Sequence, residues 1–385
     1  MTRPRSSIVA GFLLFIAVPF CEGGTLLVSV KNPSNISRKS ETVELRLGDI
    51  TKSESSLGSG QITVVEQESG AELASQVEEQ HLLFQCDLAP LETKTFVLKP
   101  RKPSTKEMVS RVDGYFARPR EDYAWENDRI AFRIYGPALA AEVNNGIDVW
   151  TKRVRDLIVR KWYDGDAKDG KGKYYHTDRG EGADFFEVGK TLGAGGSGIW
   201  YRGTLYQPGV FSSYRTISNG PIRTTFELTY NSWNIEGKKF TETKRISLDA
   251  GQNLNRVEVV FSGVVPADSL CIACGLVKRK GVVLDADKNA GVLALWGPTN
   301  EDPANGSLGT AVLLPSSALS GLQEDSVQVL LLGQLLQAKP FRYWCGAGWS
   351  RSGDFNDAYA WHNYLKEMSV ILSQPLVISI RSSGQ

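Results

Sequence analysis

IRTTFELTYNSWNIEGKKFTETKRISLDAGQNLNRVEVVFSG, residues 222–263, decides how the chain is read. Its runs IRTTFELTY, KKFTETKRISLD and NRVEVVFSG set β-branched and aromatic residues among polar ones, in the alternation of half-buried strands. The pattern recurs on both sides, in RIAFRIYG (129–136), GVLALWG (291–297), GTAVLLP (309–315), VQVLLLG (327–333) and PLVISIRS (375–382). Helical signals are few: VWTKRVRDLIVRKWY (149–163) and AYAWHNYLKEMSVIL (358–372). Many strands with little helix predict an all-β chain built on a large antiparallel sandwich. No fixed-period repeat points to a propeller or solenoid.

Residues 24–100 form a first unit. Its runs GTLLVSV, TVELRL, QITVVE and KTFVLKP are short and separated by Pro, Asn, Ser and Gly, which predicts a small N-terminal β-sandwich. Residues 101–111, with RKPSTKE, read as a linker. Residues 112–385 are expected to form the larger sandwich.

The first 23 residues read as a signal peptide. Arg3 and Arg5 precede an apolar run from Ile8 to Phe20, too short to span a bilayer, and Gly23-Gly24 offers a cleavage site. The mature chain is therefore expected to start near residue 24 and to lie in the periplasm or outside the cell. No later stretch is long and apolar enough to be a membrane helix. With 44 Lys and Arg against 43 Asp and Glu and no basic block, nucleic acid is not an expected partner. Cys271 and Cys274 form CIAC in a strand, where residues three apart face opposite ways. With Cys86 and Cys345 they read as small buried hydrophobes rather than a metal site.

Two resemblances rest on longer strings. FELTYNSW…TETKRISLDAGQNLNRVEVVFSG is similar to the galactose-mutarotase-like β-supersandwich, in which sugars bind a concave face. VSVKNPSNISRKSETVEL, EDYAWENDRIAFRIYGPAL, GIDVWTKRV, YYHTDRGEGADFFEVGKTLGAGG and WCGAGWSRSGDF together resemble a secreted bacterial family catalogued as domain of unknown function 4861. Genes of that family tend to lie among those for breakdown of uronic-acid polysaccharides. The resemblance thus implies a uronic-acid-containing oligosaccharide or polysaccharide as partner.

The chemistry is concentrated in residues 174–196. Of three histidines, His81 and His362 read as structural, and only His176 stands among tyrosines, acids, an arginine and glycines. β-Elimination at a uronic acid needs a base for the C5 proton, a cation for the carboxylate and an acid for the leaving oxygen. His176 or Tyr175 is expected to act as base or acid, and Arg179 as the cation. A sugar leaving group would make a lyase, water an oligosaccharide dehydratase. Expected substrate contacts are Trp125 and Glu126 in DYAWENDR, Lys152, Arg153, Asp184, Lys190, and the aromatic rings of Trp200, Trp344 and Trp349. No cofactor is required; a divalent metal on Asp178 and Glu181 is the alternative. The competing functions are a non-catalytic carbohydrate-binding protein and a hydrolase or epimerase-like enzyme. Glu181 and Asp184, three residues apart on one loop, are an unusual placement for a glycosidase pair.

Overall fold

The computed structural model describes residues 24–58, 62–101, 108–118, 120–263, 270–335 and 339–382. The expected signal segment 1–23 and much of the expected linker lie outside these residues. Among the described residues no helix is long and apolar enough to cross a membrane.

The stretch 222–263 folds as read. Arg223–Ile235, Lys238–Asp249 and Leu254–Gly263 pair antiparallel inside an eight-stranded sheet. Five further strands extend it: Ser213–Asn219 on one side, and Phe341–Trp349, Ser307–Leu313, Val292–Pro298 and Val283–Asp287 on the other. Two five-stranded sheets cover its inner face. One contains Ala194–Tyr201, Cys271–Val277 and Gln328–Gln334. The other, the site sheet, runs in the order Gly182–Asp184, Ile147–Lys152, Ala131–Ile134, Asp122–Asn127, Val112–Ala117. A parallel bridge from Ile147 to Gly193 links the two.

One apolar core joins the three sheets. Phe226, Leu228, Ile246 and Val257 of the large sheet meet Trp125, Phe132 and Val149 of the site sheet and Ile272, Leu276 and Val329 of the third. Each such side chain, fully buried, contributes roughly 1.5–3 kcal/mol. The helix Ala358–Ser373 packs Trp361 and Leu365 on the far side, against Trp296 and Leu313.

The small sandwich has its own core around Val28, Val43, Phe84 and Phe96. Its larger sheet is completed by Val377–Ser382, which pairs antiparallel with Leu26–Lys31. The sequence partition assigns this last strand to the larger unit, whereas it pairs in the small sandwich; its β-branched pattern says strand, but nothing local says which sheet receives it. Gln76 ties the sandwich to the large sheet, its amide oxygen accepting from the Ile222 and Arg223 N–H groups at 2.8 Å.

Residues 149–163 are not one helix. Ile147–Lys152 is a strand, and the helix is Val159–Asp169. All six residues of that strand are buried, because the core lies under one face and the helix over the other. A doubly covered strand loses its alternation and reads ambiguously. Cys274 faces the main core and Cys271 the opposite side, as the strand period requires; no disulfide links the cysteines of the described residues.

Candidate functional site

Alternation along the site sheet sends Trp125, Phe132, Ile134 and Val149 into the core. The same alternation sends Asp122, Glu126, Arg133, Asp148, Trp150, Lys152 and Asp184 to the outer face, where Arg133 sits opposite Asp148 and Trp150 opposite Asp184. This face is not solvated. The helix Val159–Asp169 and the short turn Tyr174–His176 roof it, packing Trp162, Tyr163 and Tyr175 on Trp150. Two glycines permit the close approach. A Cβ on Gly182 (φ +117°) would stand 2.0 Å from the Thr151 carbonyl oxygen, and one on Gly193 (φ +61°) 2.3 Å from that of Ile147.

Under the roof, one guanidinium serves three carboxylates. Arg133 lies 2.6 Å from Asp148, 2.8 Å from Asp184 and 3.7 Å from Asp122. Tyr135 donates to Asp148 at 2.9 Å and Tyr163 to Asp122 at 3.0 Å. Burial pushes Asp122 up to about 6, with Arg133 pulling the other way. Burial, then the charge of Asp148, raises Asp184 well above the carboxylate range. Burial would lower Arg133, but Tyr135, Asp148 and Asp184 outweigh it and keep it charged. Acid therefore exceeds base in this layer, and part of the deficit is met by protons.

His176 stands at its edge. Its Nδ1 is 3.0 Å from the Asp184 carbonyl oxygen and 3.6 Å from the Asp184 carboxylate, and about half of its side chain is exposed (47%). A carbonyl only accepts, so Nδ1 carries the hydrogen and Nε2 presents a lone pair. Nε2 has no hydrogen-bond partner among the described residues. Of the expected trio, Tyr175 is next to His176 (ring centroids 4.7 Å apart) but buried, with its hydroxyl 3.5 Å from Arg133. Burial raises its pKa, so it stays neutral. Arg179 is exposed, its guanidinium 4.5 Å from the centre of the Tyr174 ring, with no acidic partner among the described residues.

Several expected substrate contacts are interior instead. Glu126 and Lys152 form a fully buried pair at 2.6 Å, and Glu126 accepts from the Ile158 and Val159 N–H groups at 3.0 and 2.7 Å. Glu126 caps the roofing helix, whose orphan N-terminal donors need an acceptor, and Lys152 balances its charge. Trp125 and Trp349 are core residues whose indole N–H groups donate to Asn255 and to the Asn305 carbonyl. Trp344 packs toward the helix Ala358–Ser373, and Trp200 lies on the cluster of Leu192, Ala273 and Leu330. Lys190 is exposed. Arg153 pairs with Asp178 and lies over the Trp349 ring. Asp178 also accepts from the Gly180 and Gly182 N–H groups, and Glu181 from Lys161 and Trp162. Both are thus engaged away from a shared metal, and among the described residues no three His, Cys, Asp or Glu gather as a metal set.

Sequence reading missed Arg133, Asp122, Asp148 and Tyr135. The available signal was charge in mid-strand: Arg133 inside AFRI and Asp148 inside IDVW stand where a surface strand would carry Thr or a core strand Val.

Three comparisons bear on this arrangement. The family model described as "Domain of unknown function (DUF4861)" matches residues 30–378. A protein of Formosa agariphila described as "Uncharacterized protein P7" is 32% identical over 401 aligned residues, covering 97% of this chain and 98% of its own length. A solved structure of a protein in glycosyl hydrolase family 38 from Enterococcus faecalis superposes with a TM-score of 0.53 at 11% identity, over 92% of this chain. The chain spans about half (47%) of that protein's length, and the likeness is one of fold: an all-β supersandwich of the galactose-mutarotase-like type.

Proposed function

The chain belongs to the DUF4861 family, and we propose that it is a carbohydrate-active enzyme cleaving uronic-acid-containing oligosaccharides by β-elimination. The observation that carries this reading is His176: Nδ1 fixed by the Asp184 carbonyl, and Nε2 at the surface with no hydrogen-bond partner among the described residues. That is the arrangement of a general base. Nε2 takes the C5 proton, and the C5–H electron pair becomes the C4=C5 double bond. The C4–O bond breaks, and the leaving oxygen receives a proton, which the imidazolium can return. The Asp184 carbonyl keeps its hydrogen bond to Nδ1–H throughout. Arg179, exposed and unpaired, offers a planar fork to the substrate carboxylate as charge builds on it. Export before residue 24 would place the enzyme where polysaccharide fragments occur.

The test follows alkene absorbance during incubation with uronic oligosaccharides. His176→Ala should lose roughly a hundred- to ten-thousandfold in rate while keeping substrate affinity and melting temperature. Full activity in the variant, or products without an unsaturated uronate, would move the reading to hydrolysis or to plain binding.

A further inference from the structure

A cleft of about 1270 Å³ lies outside the roofed layer. Its walls are the chain after Cys271–Val277, the loop from Pro298 to Ser307, and Phe185 with Glu187. Phe185 directly follows Asp184, whose carbonyl holds His176, so the cleft begins one residue from the group that positions the proposed base. It exceeds the roughly 300–1,000 Å³ usual for small-molecule sites, leaving room for several linked sugar rings.

Its charges are unevenly matched. Lys278 pairs with Glu324 at 2.9 Å, Lys280 lies 3.9 Å from Glu301, and Asp302 accepts from the Ala304 N–H. Arg279 has no carboxylate among the described residues. Its Nε donates to the Pro298 carbonyl at 3.2 Å and Nη2 to that of Leu308 at 2.6 Å, while Nη1 is buried without an acceptor. Burial lowers its pKa to about 10, still charged at neutral pH. Arg351 adds a second uncompensated cation: its Nε lies 3.3 Å from where a Cβ on the wall residue Gly306 would stand, and it forms no ion pair among the described residues. Glu187 is the one wall acid left without a partner among the described residues. A guanidinium fixed by main-chain carbonyls and lacking a counter-ion is a prepared anion site.

We propose that this cleft binds the carboxylate or sulfate groups of a saccharide chain, with Arg279 as the anchoring cation and Arg351 at the rim. It holds the part of the chain that does not react. The inference rests on the reading that the partner is a saccharide, but not on the elimination chemistry.

Calorimetric titration of the full chain carrying His176→Ala, which prevents turnover, tests it with three probes: an oligogalacturonate tetrasaccharide, a sulfated tetrasaccharide of neutral sugars, and the uncharged tetrasaccharide. Charged probes should bind and the uncharged one should bind far more weakly; the tighter of the two charged probes identifies the group. Adding Arg279→Gln should weaken the charged probe about ten- to a hundredfold, the worth of a charge-assisted contact. Because Arg279 also ties two carbonyls, the exposed Arg351→Gln is measured beside it, with a severalfold loss expected. Equal binding of charged and uncharged probes, or unchanged affinity in both variants, overturns the proposal. Charged-probe binding that depends on Arg279, when the parent with His176 intact forms no alkene from the same saccharides, keeps the cleft and ends the elimination.

Discussion

The two ends of the site sheet's outer face use the same materials and reach different states. At one end Lys152 meets Glu126, one cation against one acid, and the helix N–H groups of Ile158 and Val159 complete the acid's shell. At the other end Arg133 meets Asp122, Asp148 and Asp184, and the excess acid faces a half-exposed imidazole. Trp150 separates them, roofed by Trp162 and Tyr175. A balanced, sealed pair fixes a helix. An unbalanced layer that opens onto a histidine stores protons where one can leave. Burial of charge alone therefore does not mark a reactive site; imbalance beside an exit does.

The hardest test of that contrast removes the cation from each end. Lys152→Met leaves Glu126 buried and unpaired, which costs roughly 3–5 kcal/mol. Arg133→Met strands three carboxylates and should cost ~5 kcal/mol at pH 8, the larger loss. Those acids can escape by taking protons, so the Arg133 penalty should shrink toward pH 5. Urea denaturation of both variants at the two pH values reads this directly. Equal losses with no pH dependence at the Arg133 end would erase the distinction.

A gentler test uses pH on the intact cluster. Asp122 is raised from 3.8 to about 6 in the folded chain, chiefly by burial. Between those values the folded state holds a proton the unfolded state releases, so this group's contribution falls as pH rises from about 4 to about 6, then levels off. A gap of about two pH units at ~1.4 kcal/mol each gives up to ~3 kcal/mol. Asp184, raised by burial and by Asp148, acts in the same direction. Asp122→Asn cannot titrate but still accepts from Tyr163. It should gain on its parent as pH goes from 4.5 to 7.5, by ~2 kcal/mol, the part of the gap that lies above pH 4.5. Parallel urea midpoints across that range would mean that Asp122 is ionised throughout.

How much of this was legible from sequence depends on which faces are covered. Lys238–Asp249 alternates between buried and more exposed positions over much of its length, and its strand was readable. Ile147–Lys152 is buried on both faces, its periodicity vanishes, and its residues from Val149 on carry a helical signal. The same geometry hid the charged layer: Asp148 and Arg133 look like exposed strand residues until Val159–Asp169 is laid over them, and that packing is not local information. The segment 174–196 stands out in the sequence because its composition is unusual in itself. The tryptophans misled for the converse reason, since an indole over a sugar and one in a core look alike in sequence. Only the partners of their N–H groups, Asn255 for Trp125 and the Asn305 carbonyl for Trp349, separate the two.

The smallest expected effect concerns Arg179, the exposed cation next to the unbalanced end. Its one intramolecular contact of note is the Tyr174 face at 4.5 Å, and Tyr174 is itself only partly buried. A cation over an aromatic ring at an exposed site is worth about 0.5–1 kcal/mol. Arg179→Ala should therefore lower stability by no more than ~1 kcal/mol, in contrast to the buried Arg133. A small cost is what the proposed role needs, because a guanidinium reserved for a substrate carboxylate cannot also be committed to the fold. Arg179→Lys should melt like the parent yet react more slowly, since an ammonium cannot present the fork. A stability loss above ~2 kcal/mol in the alanine variant would show that Arg179 braces the 174–182 turn. The carboxylate would then have to be met by another cation, and Arg153, already shared with Asp178, is less free to serve.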